Sequence, residues 1–123
     1  MPGWWPFKRE AGPDHPLPEI GSLMERDIVV LFKHSSTCPV SWAAHALVKS
    51  FQDKNPQVPV YLVAVQKDRA ASQQIAQRLN IRHESPQIIV LRRGVVASVA
   101  SHGAITEEML ESILSEPKPA HPL

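Results

Sequence analysis

The sequence predicts an α/β domain, a central mixed four-stranded sheet with helices on both faces, in the order β-α-β-α-β-β-α. Three observations carry the prediction. Ile28, Val29, Val30, Leu31 and Phe32 form an unbroken apolar run, the mark of a strand buried on both faces, and apolar residues at helical spacing follow it. A second run, Val58 to Val65, is also apolar on both faces, so the helix between the two reads as a right-handed crossover joining parallel strands. Farther on, Arg93-Gly94 separates two more strand-like runs and fits a tight turn, which requires antiparallel pairing there.

Taken in order, residues 1–18 carry five of the twelve prolines and little periodicity, and read as an irregular arm whose Trp4, Trp5 and Phe7 are expected to pack back onto the domain, the alternative being an arm that docks a partner. A single domain over 19–115 follows, opening with a short helix around Leu23 and Met24. The first strand spans 28–33 and the first long helix 39–53, with Val40, Ala43, Ala44, Leu47, Val48 and Phe51 as its inward stripe. Asn55-Pro56 stops that helix. In the second strand Val58, Val60, Leu62 and Ala64 share one face, and Tyr61, Val63 and Val65 the other. Ser72 is placed to cap a helix carrying Ile75, Ala76 and Leu79 that ends near Asn80. Ile88 to Leu91 form the third strand and Val95 to Ser101 its hairpin partner, with Gly94 free to take positive φ. Thr106 caps a last helix with Glu107 and Glu108 in its first turn and Met109, Leu110, Ile113 and Leu114 on its apolar face. Residues 116–123, with three prolines, read as a flexible tail.

Composition narrows the class. The chain of 123 residues, 43% hydrophobic and 20% charged, has the make-up of a soluble globular domain. Thirteen basic and twelve acidic residues nearly cancel and form no basic block, so neither nucleic acid nor a membrane surface is an expected partner. The N-terminus lacks the pattern of a signal peptide, and no apolar segment approaches the about 20 residues that span a bilayer. A cytoplasmic location is the expectation, and the single cysteine, which rules out an internal disulfide, suits a reducing compartment. Six histidines and one cysteine show no metal-ligand spacing, so no metal is expected, and no glycine-rich phosphate loop is present.

That cysteine, Cys38, falls where the first strand gives way to the first long helix, in Lys33-His34-Ser35-Ser36-Thr37-Cys38-Pro39-Val40-Ser41. Pro39 suits the first helical position, where its missing N–H has no intrahelical partner anyway. Cys38 is thus predicted at the N-cap, facing the free N–H groups of Val40 and Ser41. Those groups and the positive end of the helix dipole favour a thiolate, so the pKa should lie below that of a free cysteine. Lys33 and His34 are candidates to add positive charge, and Ser41 to donate a hydrogen bond to the sulfur or cap the helix. The alternative fate of a lone cysteine is that of a small buried hydrophobe. Thr37 and Ser36 can contact an incoming disulfide or serve the loop. Trp42, one turn beyond Cys38, is either an exposed docking residue or packed beneath the arm. Lys67, Arg69 and Arg82 can attract carboxylates or remain solvated surface charges.

A reactive cysteine opening the first helix, with Ser85-Pro86 directly before the third strand, resembles the thioredoxin-like superfamily. The resemblance implies a cis Ser85–Pro86 bond lying against the cysteine. Ser41 stands where thioredoxins carry a second cysteine, so a dithiol cycle is not expected. Phe32 to Ser41, His83-Glu84-Ser85-Pro86-Gln87, and Ser101-His102 followed by Ile105-Thr106 are similar to the YtxJ-type monothiol bacilliredoxins over about Val29 to Leu114. That family implies a thiol–disulfide oxidoreductase that removes bacillithiol from bacillithiolated proteins through a mixed disulfide on Cys38. Bacillithiol is then a co-substrate, no cofactor is bound, and free bacillithiol or a separate reductase restores the thiol. Lys33, His34, Thr37, Pro39, Ser41, His83, Ser85 and Pro86 are the residues expected to support the thiolate or its substrate. The alternatives are a glutathione-dependent monothiol glutaredoxin, an iron–sulfur carrier, and a redox-inert interaction module on the same fold.

Overall fold

The computed structural model describes residues 19–115. The proline-rich arm with Trp4, Trp5 and Phe7, and the tail after Ser115, lie outside the described residues. The elements are α1 (Ile20–Met24), β1 (Val29–His34), α2 (Pro39–Lys54), β2 (Val60–Ala64), α3 (Arg69–Leu79), β3 (Gln87–Arg92), β4 (Val95–Ser101), a 3₁₀ turn (His102–Ala104) and α4 (Glu107–Ser112). The sheet order is β2-β1-β3-β4. β1 runs parallel to β2 and antiparallel to β3, and β3 is antiparallel to β4.

Side-chain alternation along the central strands divides the interior into two layers. Val30, Phe32, Val60, Leu62, Ile88 and Val90 pack with Ala44, Val48 and Phe51 of α2 and Leu110 of α4. Val29, Leu31, Tyr61, Val63, Ile89 and Leu91 pack with Leu23 of α1 and Ile75 of α3. Both faces of β1 are therefore dry, as its unbroken apolar run requires. β2 and β4 are the edge strands, and alternate residues of β4 face solvent.

Local chemistry sets the boundaries. At the hairpin, Arg93 and Gly94 both take positive φ, 52° and 81°. The Arg93 N–H donates to the carbonyls of Arg26 and Asp27, each at 3.1 Å, which clasps the turn to the segment entering β1. Asn80 closes α3 in the left-handed conformation. Thr106 caps α4, its Oγ1 accepting from the Met109 N–H at 3.1 Å.

Four sequence expectations need correction. The α3 cap is Asp68 rather than Ser72, which lies one turn inside the helix and is buried. The inward face of α2 carries Ser41, Ala44, Val48, Phe51 and Gln52, whereas Val40 and Ala43 face solvent. Apolar content alone misplaced that face, because Ser41 has buried polar partners and Val40 has none to gain. Leu114 lies beyond the end of α4 and is half exposed. β1 begins and ends one residue later than expected, so that it includes His34.

Candidate active site

The register brings three connections to one end of the sheet. Lys33 is opposite Val63 of β2 and Gln87 of β3. The loop leaving β1, the loop leaving β2 and the segment entering β3 therefore all open on the same edge. Cys38 lies in the first of these, Gln66 in the second, and His83, Ser85 and Pro86 in the third.

Cys38 is the N-cap of α2 in extended conformation, with Pro39 at the first helical position. It is partly exposed and free. The thiol makes no full cap hydrogen bond, yet it sits within the influence of the helix's open N–H groups. The Ser41 backbone N–H lowers its pKa most; burial opposes this, and the Val40 N–H and Ser41 hydroxyl lower it further. The sulfur is therefore more anionic at neutral pH than an ordinary cysteine.

Ser41 also organises the surroundings. It is fully buried, its Oγ accepts from the Ser35 N–H at 3.2 Å, and it lies 3.5 Å from the Ser85 Oγ. The Ser85–Pro86 bond is cis. The Pro86 carbonyl accepts from the His102 N–H at 3.0 Å, and the His102 ring faces Glu84 at 3.7 Å. Ser36 and Thr37 are bound by a residue that sequence reasoning did not single out. Gln66 accepts from the Ser36 N–H at 3.3 Å and donates to the Ser35 and Thr37 hydroxyls at 3.0 and 3.2 Å. The available signal was topological, since parallel neighbouring strands place the residues that follow them side by side. Trp42 holds the same loop from the other side by donating its Nε1–H to the Ser36 carbonyl at 2.9 Å, while the ring remains half exposed.

Lys33 and His34 are consecutive in β1 and so lie on opposite faces of the sheet. These two candidates to add positive charge near Cys38 therefore meet different surroundings. His34 turns toward α2, where its ring meets Trp42 edge-on with centroids 4.5 Å apart and His45 at 5.1 Å. Burial and the neighbouring His45 lower its pKa against an opposing pull from the Ser41 backbone, so the ring is neutral at pH 7. Lys33 turns toward α3. Its buried ammonium donates to the Ser72 carbonyl at 3.1 Å and lies 3.1 Å from the His83 Nδ1. Burial pushes its pKa down to about 8. His83, itself exposed, is also 3.3 Å from the Ser72 hydroxyl. Val65, Gln66, Arg69, Ser72, Gln73 and His83 line an open groove of about 270 Å3 at this point. Of the three cations considered as carboxylate attractors, Arg69 is the one on its wall. A second groove, about 310 Å3, lies between the far end of α2 and α4 and takes no wall from the cysteine loop.

Among the described residues no group of three or more His, Cys, Asp or Glu could hold a metal ion, and no helix is long and apolar enough to cross a membrane. The arrangement supplies one activated, accessible thiol with no second cysteine to resolve it.

Comparison with known proteins agrees with this chemistry. The family model described as monothiol bacilliredoxin BrxC matches residues 15–110. Among solved structures, one described provisionally as an oxidoreductase with a thioredoxin fold is 30% identical, with a TM-score of 0.70 over 76% of this chain and 84% of the other. A mutant thioredoxin from Halobacterium salinarum superposes with a TM-score of 0.62 at 16% identity, over 89% of this chain and 90% of that one. The thioredoxin of Trypanosoma brucei brucei gives 0.62 at 12% identity, over 77% and 80%. The fold is thioredoxin-like.

Proposed function

Because the chain belongs to the monothiol bacilliredoxin family and is a thiol–disulfide oxidoreductase of thioredoxin-like fold, we propose that it removes bacillithiol from bacillithiolated protein cysteines. The observation that carries the reading is the placement of its lone cysteine. Cys38 caps α2 with its pKa lowered chiefly by the Ser41 backbone N–H, and Ser41 stands one turn on where a resolving cysteine would be needed.

The Cys38 thiolate attacks the bacillithiol-side sulfur of the mixed disulfide in line with the scissile bond. That bond breaks, the target cysteine leaves as a thiolate and takes a proton from water, and bacillithiol remains disulfide-bonded to Cys38. A second thiol, free bacillithiol or a separate dithiol reductase, attacks the new disulfide and restores the Cys38 thiolate. The rate depends on thiolate fraction, nucleophilicity and the leaving-group pKa together, which favours a moderate lowering of the Cys38 pKa over an extreme one. Ser41 steadies the sulfur, while Ser85 lies against the Ser41 hydroxyl and Thr37 is held in the loop by Gln66. The cis Ser85–Pro86 segment lies against Ser41 and offers backbone to an extended substrate.

The test is release of the target thiol from a bacillithiolated protein, with the same protein glutathionylated as comparator. The proposal expects release from the bacillithiolated form and none with Cys38→Ser. Preference for the glutathionylated form would assign a glutaredoxin activity instead.

A further inference from the structure

We propose that the groove beside the cysteine loop is a carboxylate-recognition site for the small thiol of the mixed disulfide, with the Arg69 guanidinium and the His83 Nε2–H as its donors and Lys33 as the positioning residue behind His83. The inference rests on the exchange reaction above, and it names the chemical feature of the small thiol that this chain selects.

The starting observation is a buried cation with no anion. Lys33 is fully buried, and its ammonium is held by the Ser72 carbonyl and the His83 ring nitrogen, neither of which carries negative charge. Burial alone accounts for its lowered pKa; no acidic side chain contributes. An ammonium taken out of water without a counter-ion opposes folding. Both of its partners, Ser72 and His83, line the groove.

Hydrogen bonding then sets the state of His83. Burial first, and the Lys33 charge second, lower its pKa against the opposing pull of Glu84, so the ring is neutral at pH 7. A protonated Lys33 can only donate, so Nδ1 accepts and the ring proton must reside on Nε2. His83 therefore presents a fixed N–H donor, with a positive charge behind it, from an exposed ring in the groove wall. Arg69 supplies a second, planar donor from the first turn of α3, where the open N–H end of the 11-residue helix adds to the positive potential.

Two acids lie nearby, and the charge of Glu84 acts on His83 against the lowering of its pKa. The Asp68 carboxylate accepts from the Ala64 N–H at 3.2 Å, and Glu84 faces His102. Gln66 ties the groove to the reacting sulfur, since it lines the groove and holds Ser36 and Thr37 in the loop that ends at Cys38. The groove of about 270 Å3 is thus positively biased and shares Gln66 with the loop that carries Cys38. Bacillithiol carries carboxylates that suit it.

The test uses the reduced full-length protein and three mixed disulfides of pyridine-2-thiol, with 3-mercaptopropionate, mercaptoethanol and cysteamine. These differ mainly in the charge that Cys38 acquires. The expected order of rates is acid, then neutral, then amine, with about tenfold between the extremes at low salt and less at high salt. The acid-to-neutral ratio should fall towards one in Arg69→Gln, in His83→Gln and in Lys33→Met. Arg69 is exposed, so its variant tests the site even if Lys33→Met does not fold. Equal wild-type rates with all three probes would overturn the proposal, as would a preference that survives in the Arg69→Gln/His83→Gln double variant. Failure of Cys38 to react with any probe is a different result, because it ends the exchange reading itself.

Discussion

At the scale of single residues, Ser41 and Lys33 make the sharpest predictions. Ser41→Ala removes the hydroxyl that acts on the thiol and leaves the Ser35 N–H without its side-chain acceptor. The expected result is a raised Cys38 pKa, read from thiolate absorbance against pH, slower exchange below pH 7, and a loss of about 1–2 kcal/mol in stability by urea unfolding. Lys33→Met is expected to act in the opposite direction on stability. The Lys33 pKa falls from 10.5 to about 8 on folding. Below pH 8 the side chain is charged in both states and its burial opposes folding in full. Between pH 8 and 10.5 the unfolded chain binds more protons, so wild-type stability rises with pH across that window. Methionine, similar in shape and uncharged, should therefore raise stability by on the order of 1–3 kcal/mol at pH 7, with the advantage shrinking towards pH 10.5. A wild type that is more stable than Lys33→Met at pH 7 would show that the ammonium's hydrogen bonds outweigh its desolvation.

At the scale of elements, capping and turn chemistry can be tested away from the thiol. Thr106→Ala removes the α4 cap and should cost about 1 kcal/mol by thermal or urea unfolding, with exchange little affected. Gly94→Ala should cost more. The residue has φ of 81°, and a Cβ there would come within 2.9 Å of the Met24 carbonyl oxygen. These elements were legible in the sequence because their signals are local. A threonine before two glutamates, a glycine after an arginine, and a proline after a cysteine each state their role in a few residues. Ser72 illustrates the opposite case. Its sequence neighbours suggested a cap, and its real partners, Lys33 and His83, are 39 and 11 residues away. Gln66 is silent in the sequence for the same reason, since its partners lie 29 to 31 residues away and meet it only once β1 and β2 are paired. Extending β1 by one residue to His34 was enough to separate Lys33 and His34 onto opposite faces.

At the scale of the whole molecule, the fold converts a doubly buried strand into a reactive centre. β1 is held between β2 and β3 and covered on both sides, so the loop it feeds is anchored by a fully buried strand. Both helices that follow the parallel strands begin at the same edge, and their open N–H ends flank the site. α2 acts on the Cys38 sulfur and α3 on the groove. The class of fold and the position of the thiol were readable from the order of apolar runs. The division of the surroundings into a neutral aromatic face around His34 and a cationic face around Lys33 was not, because it depends on strand register. The measurement that tests the central claim most directly is the intact mass of the reduced protein after one equivalent of a bacillithiolated protein is added. A single bacillithiol on Cys38, with the target cysteine freed and no adduct on Cys38→Ser, is the predicted result. An unmodified Cys38 that is accessible and reduced, beside a target still bacillithiolated, would contradict it.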